Sequence, residues 1–226
     1  MAINKEAFLS LRQELDPHGV TLVAVSKTKP ASDIMELYAL GQRDFGENYV
    51  QELVEKAEQL PNDIRWHFIG HLQTNKVKFI APFVHLVHGV DSEKLLVEIN
   101  KQGQKLNRVI GCLLQVFIAR EETKFGLDEA ELDQVVSRLK EPAAFNHIVV
   151  RGLMGMASFS ENREQVRTEF RQLRSFYTRY TGLATKNCAF DTLSMGMSGD
   201  YRIAIEEGST LVRIGSLLFG SRTKNS

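Results

Sequence analysis

The chain has 226 residues, of which 43% are hydrophobic and 25% charged, a size and mix that suit one globular unit and reach the range of α/β barrels. Its 28 basic residues are balanced by 28 acidic ones, so bulk charge recruits neither nucleic acid nor an anionic membrane. The longest apolar run, 109–119, is too short to cross a bilayer and is broken by Gly111 and Gln115. The amino end is amphipathic and charged, without the apolar core of a signal peptide. Cys112 and Cys188 sit in strand-like apolar settings and read as small hydrophobes of a reducing compartment. The expectation is a cytoplasmic protein.

Phe8, Leu11 and Leu15 recur at helical spacing and predict a leading helix over 3–15, stopped by Asp16, Pro17 and Gly19. Residues 21–26 are a short apolar run bounded by Pro30, hence a first strand buried on both faces. Ser32 is the expected N-cap of a helix running to Leu40, with Gly41 at its C′ position. Strands follow over 43–46 and 65–70, with a helix over 50–59 between them and a helical segment at 74–80 after them. A fourth strand over 84–90 leads through Asp91 and Ser92 into a helix over 93–106. The remaining units are a strand over 109–119 and a helix over 128–139, a strand over 147–154 and a long helix over 161–180. Then come a strand over 189–194 and a helix over 200–207, and last a strand over 210–214 and a helical turn over 216–219. Eight strand–helix units in regular succession, with no linker between them, predict one domain over 1–226. Its fold is a closed parallel (β/α)8 barrel; an open doubly wound sheet is the alternative.

In such a barrel the chemistry lies at the carboxyl ends of the strands. Lys27 ends the first strand, and an amine there can condense with an aldehyde. Lys29 shares its strand parity, and both lysines can equally be read as solvated loop charges. Asn48, His71, Asp91 and Lys124 follow strands two to five, and Met154 to Met156 follow strand six. After strands seven and eight lie Ser194, Gly196, Ser198 and Gly199, and Gly215 with Ser216. Hydroxyls, bare Cα atoms and a helix-opening turn on these two neighbouring loops suit a phosphate. Ser198 also stands where it could cap the next helix. Arg213 lies inside an otherwise apolar strand. It has either a barrel acid as partner, Glu47 or Asp191, or a ligand above it, since Gly215 shares its face. The histidines lack metal spacing: His67 and His71 lie on a strand and its turn, and His85 and His88 alternate on a strand. A strand-end amine, a phosphate cradle and an inward arginine suit a phosphorylated aldehyde. Pyridoxal phosphate is the leading candidate, and a sugar phosphate cleaved by a lysine aldolase is the other.

Residues 24–30 (AVSKTKP), 45–52 (FGENYVQE), 66–76 (WHFIGHLQTNK), 119–124 (AREETK), 151–154 (RGLM), 193–198 (LSMGMS) and 208–215 (GSTLVRIG) resemble, in this order, the pyridoxal phosphate homeostasis proteins. These are relatives of the amino-terminal domain of alanine racemase. The resemblance implies the racemase-type barrel, with pyridoxal phosphate held as a Schiff base on Lys27 rather than Lys29. It implies that Ser198, Gly215 and Ser216 hold the phosphate with Ser194 nearby, that Arg213 meets the pyridine nitrogen, and that Asn48 and Lys124 line the mouth. A cation at that nitrogen keeps it unprotonated and makes the ring a weak electron sink. The chain departs from the family pattern at Phe117, where Asn is frequent, and at Phe125, where Ser or Thr is.

Racemization needs a second base on the opposite face of the substrate. The racemase takes a tyrosine for it from a further domain, and no such domain follows Ser226 here; Tyr49 is the nearest candidate and is expected to pack on its helix. The implied role is therefore binding, buffering and delivery of the cofactor, with transient contact to cofactor-requiring apoenzymes. A monomer with little racemase activity is expected.

Overall fold

The computed structural model describes residues 3–119, 125–141, 144–183 and 185–220. Its strands are β1 (Thr21–Val25), β2 (Asp44–Glu47), β3 (Arg65–Phe68), β4 (Leu86–Val90), β5 (Ile110–Gln115), β6 (Ile148–Met154), β7 (Cys188–Met197) and β8 (Leu211–Ile214). They are all parallel and close in sequence order into a barrel, with Val23 of β1 opposite Arg213 of β8 at the seam. α1 (Lys5–Leu15) precedes the barrel. Between the strands come α2 (Ala31–Ala39), α3 (Val50–Gln59), α4 (Val77–Ile80), α5 (Glu93–Lys105), α6 (Glu129–Leu139), α7 (Arg163–Tyr180) and α8 (Tyr201–Glu206). The one-turn α9 (Ser216–Phe219) follows β8. The expected barrel with its leading helix is therefore the architecture observed, and the open sheet is not.

Period-two alternation divides each strand between two cores. In β1, Leu22 and Ala24 join the large apolar layer between strands and helices, while Val23 points inward with Leu86, Leu113, Met154 and Leu211. The helices supply matching stripes. Val166, Phe170, Leu173 and Tyr177 of α7 are all buried at helical spacing. The Asn162 side chain starts that helix by accepting from the amides of Glu164 and Gln165. Burying a side chain such as Phe170 contributes about 1.5–3 kcal/mol, so layer packing outweighs any single cap.

Several expected boundaries shift. α2 starts at Ala31 after the extended Pro30, with no side-chain cap, so Ser32 lies inside its first turn and not at the N-cap. β5 ends at Gln115, because Val116 pairs instead with Leu127, beyond the rim. β7 runs on to Met197, three residues past the expected end, because Gly196 adopts φ +95° and lets the strand bulge against β8 between Ser194 and Met197. A side chain at Gly196 would meet Ala204 and Tyr201 of α8, at 2.6 and 3.0 Å. The two cysteines are buried and unpaired, and burial pushes the Cys188 thiol up to about 11.

Candidate functional site at the carboxyl end of the barrel

A cavity of about 560 Å³ opens at the carboxyl ends of the strands. Lys27, Asn48, Ser198, Arg213, Gly215 and Ser216 all line it. Its apolar wall comes from Val25, Ile69, Met156, Val166 and Met197.

The Lys27 position depends on a tight turn. The amide of Lys29 donates to the Ser26 carbonyl at 3.0 Å, and Thr28 between them is held at φ +63°. A β-branched residue in the left-handed region is strained and persists only when its surroundings fix it. They do: the Thr28 amide donates to Glu52 at 2.6 Å. Glu52 accepts from Lys56 Nζ at 2.7 Å, and the same ammonium donates to the Ser26 carbonyl and to Glu47, both at 2.8 Å. The Ser26 hydroxyl donates to Glu47 at 2.6 Å. Burial raises the Glu47 carboxyl above its ordinary range, with Lys56 opposing, and its second oxygen has no hydrogen-bond partner among the described residues.

The turn also separates the two lysines that strand parity could not. Lys27 lines the cavity, whereas Lys29 Nζ donates to the Phe219 carbonyl at 2.7 Å, at the end of α9.

Arg213 is 4% exposed. Neither Glu47 nor Asp191 is its partner: Glu47 pairs with Lys56 and Asp191 with Arg151. Its guanidinium instead donates to the Ser194 carbonyl and hydroxyl, at 3.0 and 2.5 Å, and to the Gly155 carbonyl at 3.1 Å. Burial pulls its pKa down to about 10, with Asp200 opposing. Three of the five N–H bonds of an arginine are thus spent on the barrel wall, which leaves donors for a ligand in the cavity.

Ser194 does not line the cavity. It lies within β7, fully buried under Arg213, because the bulge at Gly196 carries the strand past it. Gly196 packs on α8 and is likewise not at the cavity wall, whereas Gly199 is, with open space where a side chain would project. Ser198 does not cap α8; its hydroxyl accepts from the Gly215 amide at 3.3 Å and ties the two loops together. The N-cap of α8 is Asp200, whose carboxylate accepts from the Met197 amide at 2.6 Å. Gly215 in turn opens α9, whose first N–H groups have no acceptor within the helix. A Cβ at Gly215 would crowd Val25 at 3.3 Å.

Asn48 contributes a buried side-chain oxygen that has no hydrogen-bond partner among the described residues, an acceptor at the cavity still to be satisfied. Tyr49, the N-cap residue of α3, is 56% exposed and does not line the cavity. Lys124 lies outside the described residues. Phe125, the second departure from the family pattern, is exposed and stacks on His71 with ring centroids 4.4 Å apart.

Other lining residues were not singled out in the sequence. Ser158, Ser160 and Glu161 come from the segment between β6 and α7; Glu161, expected to start the long helix, lies ahead of it, because α7 begins at Arg163 after the Asn162 cap.

The arrangement is an amine, a buried guanidinium and a pair of tied loops around one cavity sized for a single small cofactor. Residues 5–223 match the family model described as the N-terminal domain of alanine racemase. The pyridoxal phosphate homeostasis protein of Aquifex aeolicus is 44% identical over 89% of this chain and 86% of its own. PipY of Synechococcus elongatus, solved with PLP (pyridoxal phosphate) bound, is 37% identical, with a TM-score of 0.85 over 95% of this chain and 99% of its own. Alanine racemase from Bartonella henselae shares only the fold, at 18% identity and a TM-score of 0.69 over all of this chain and 62% of its own. This chain belongs to the alanine racemase N-terminal domain family and, within it, to the pyridoxal phosphate homeostasis proteins.

Proposed function

We propose that this protein binds pyridoxal phosphate in the carboxyl-end cavity and serves intracellular homeostasis of that cofactor in the cytoplasm, binding it, buffering it and delivering it. The observation that carries the reading is that Lys27, Arg213 and the tied Ser198–Gly215 loops surround one cavity of about 560 Å³. Pyridoxal phosphate carries an aldehyde, an aromatic ring with a basic nitrogen and a dianionic phosphate. The residues fit each part. The Lys27 amine condenses with the aldehyde, releasing one water. The remaining donors of Arg213 hold the ring nitrogen. Ser198, Ser216 and the first amides of α9 hold the phosphate, and Gly215 keeps the approach clear. Asn48 offers its unpaired oxygen to a donor at the ring edge, and Ser194 acts indirectly, by holding Arg213.

The cofactor supplies an electron sink that stabilizes a carbanion next to a bound amine. Arg213 restrains that sink, because a guanidinium beside the ring nitrogen opposes its protonation. Among the described residues lining the cavity there is no tyrosine, which favours a carrier over a two-base racemase. We read the protein as a monomer that meets recipient apoenzymes transiently. A slow racemase and a lysine aldolase are the competing readings.

The test is the absorption spectrum of purified protein with added pyridoxal phosphate, before and after borohydride, for wild type and Lys27→Ala. A visible band that borohydride removes, and that Lys27→Ala lacks, is expected. A protein that takes up no pyridoxal phosphate refutes the reading and favours the aldolase.

A further inference from the structure

The barrel interior is crossed by a line of polar side chains where a (β/α)8 barrel ordinarily stacks branched apolar ones. Below Arg213 the Ser194 hydroxyl lies 3.2 Å from His88 Nδ1. His88 Nε2 lies 2.8 Å from His67 Nδ1, and His67 Nε2 lies 3.0 Å from the Asp44 carboxylate. Ser194 and His88 are fully buried, and His67 is 2% exposed. Asp44 reaches a second, polar pocket of about 340 Å³ at the opposite end of the barrel, where Arg65 clamps it with two bonds. The line thus runs from the cofactor-end cavity to the amino-terminal mouth.

The hydrogen-bond directions follow from its upper end. A guanidinium only donates, so the Ser194 oxygen accepts from Arg213. The Ser194 hydroxyl proton then needs an acceptor, and His88 Nδ1 is the one within reach among the described residues. His88 is neutral, since complete burial holds its pKa well below the ordinary range, so its proton is on Nε2 and is donated to His67 Nδ1. His67 therefore carries its proton on Nε2 and donates it to Asp44. The reverse polarity would leave the Ser194 hydroxyl proton buried with no acceptor among the described residues. At the lower end Asp44 is held as a carboxylate well below its usual range by Arg65 and His67 against burial, so the chain ends on a fixed acceptor.

His85 also packs on His67, with centroids 5.4 Å apart, although strand alternation predicted that it and His88 would point apart. It precedes the first residue of β4, where alternation does not yet apply.

We propose that Asp44, His67, His88 and Ser194 are positioning residues: one directional hydrogen-bond chain that orients Arg213 and couples the cavity to the opposite mouth of the barrel. The chain fixes the guanidinium through the N–H bonds it donates to Ser194 and leaves its remaining donors to the cavity. Its effect on pyridoxal phosphate rests on the function proposed above; the chain itself does not.

Two measurements separate the claims. In the ligand-free protein, imidazole ¹⁵N NMR is expected to place the proton on Nε2 of both His67 and His88. Hydrogen exchange of the Arg213 guanidinium is expected to quicken at least about 10-fold in Ser194→Ala, which loses one bond of order 1.4 kcal/mol. Asp44→Asn, which keeps an acceptor but removes the charge, is expected to move it in the same direction by less. With pyridoxal phosphate added, Asp44→Asn is expected to shift the wavelength of the visible band while leaving cofactor stoichiometry unchanged; a purely structural contact so far from the cavity would not move that band. A His88 proton on Nδ1 would overturn the proposal. So would wild-type guanidinium exchange in both variants, or a band unmoved in Asp44→Asn. Failure to take up pyridoxal phosphate would refute the cofactor reading and leave the NMR arms to decide the chain.

Discussion

Lys56→Met is the substitution that most directly probes how the Lys27 turn is held. Lys56 is 7% exposed and its ammonium makes three bonds, to the Ser26 carbonyl, Glu47 and Glu52. Methionine keeps most of the buried stem and removes the charge. Among the described residues Glu47, fully buried, then keeps only the Ser26 hydroxyl at 2.6 Å as partner. Breaking one side of a buried pair costs about 3–5 kcal/mol, because an uncompensated charge remains. For a chain of this length that lowers the melting temperature by about 6–20 °C. The loss depends on pH. Burial already raises the Glu47 pKa, and Lys56 is the chief opposing influence, so removing Lys56 raises it further. A raised carboxyl binds a proton more readily folded than unfolded, so its stability contribution is present below the unfolded value and lost as pH rises through the folded one. Lys56→Met should therefore approach wild type in mild acid and fall behind it toward neutral and alkaline pH. Glu47→Gln/Lys56→Met should recover most of the loss and flatten the pH dependence. Urea unfolding of the wild type, the single variants and the double variant across that range gives the coupling energy. A loss that is the same at every pH, or that the double variant does not relieve, would refute the assignment of Glu47 as the stranded charge.

Three further outcomes follow from the same structure. Gly152→Ala should cost about 3 kcal/mol or more in a thermal melt, since Gly152 sits at φ +145° and a Cβ would stand 1.9 Å from the Thr192 carbonyl oxygen. Lys29→Met should retain the borohydride-sensitive band that Lys27→Ala loses. It should cost only about 0.5–1.5 kcal/mol in denaturant unfolding, the worth of the one bond to the Phe219 carbonyl. Cys112 and Cys188 should resist a thiol reagent at neutral pH until the protein is unfolded, because both are buried and burial raises both thiol pKa values.

The barrel was legible because each unit announces itself locally. The run 21–25, bounded by Pro30, reads as a strand, and Phe8, Leu11 and Leu15 share one helical face, whereas the caps Asn162 and Asp128 fell inside the expected helices and were placed by the structure. The cavity was legible for a related reason. In a parallel barrel every strand ends on the same rim, so Lys27, Asn48, Ser198, Gly215 and Ser216 converge whatever the side-chain packing, and the parity of Arg213 with Gly215 puts both at the cavity. Chain order and period were enough for that much.

What remained was decided by non-local contacts. Parity could not separate Lys27 from Lys29, because the choice depends on Thr28 in a left-handed conformation fixed by Glu52 from α3, one strand–helix unit further on. Ser194 looked like a loop donor until the bulge at Gly196 extended β7 and left it beneath Arg213. Glu47 and Asp191 were reasonable acids for Arg213, yet Lys56 and Arg151 take them, and the arginine turns to carbonyls and a hydroxyl instead. The chain from Ser194 through His88 and His67 to Asp44 joins four strands in the barrel interior. Sequence by itself sets which residues face inward; only closure of the barrel sets which of them meet.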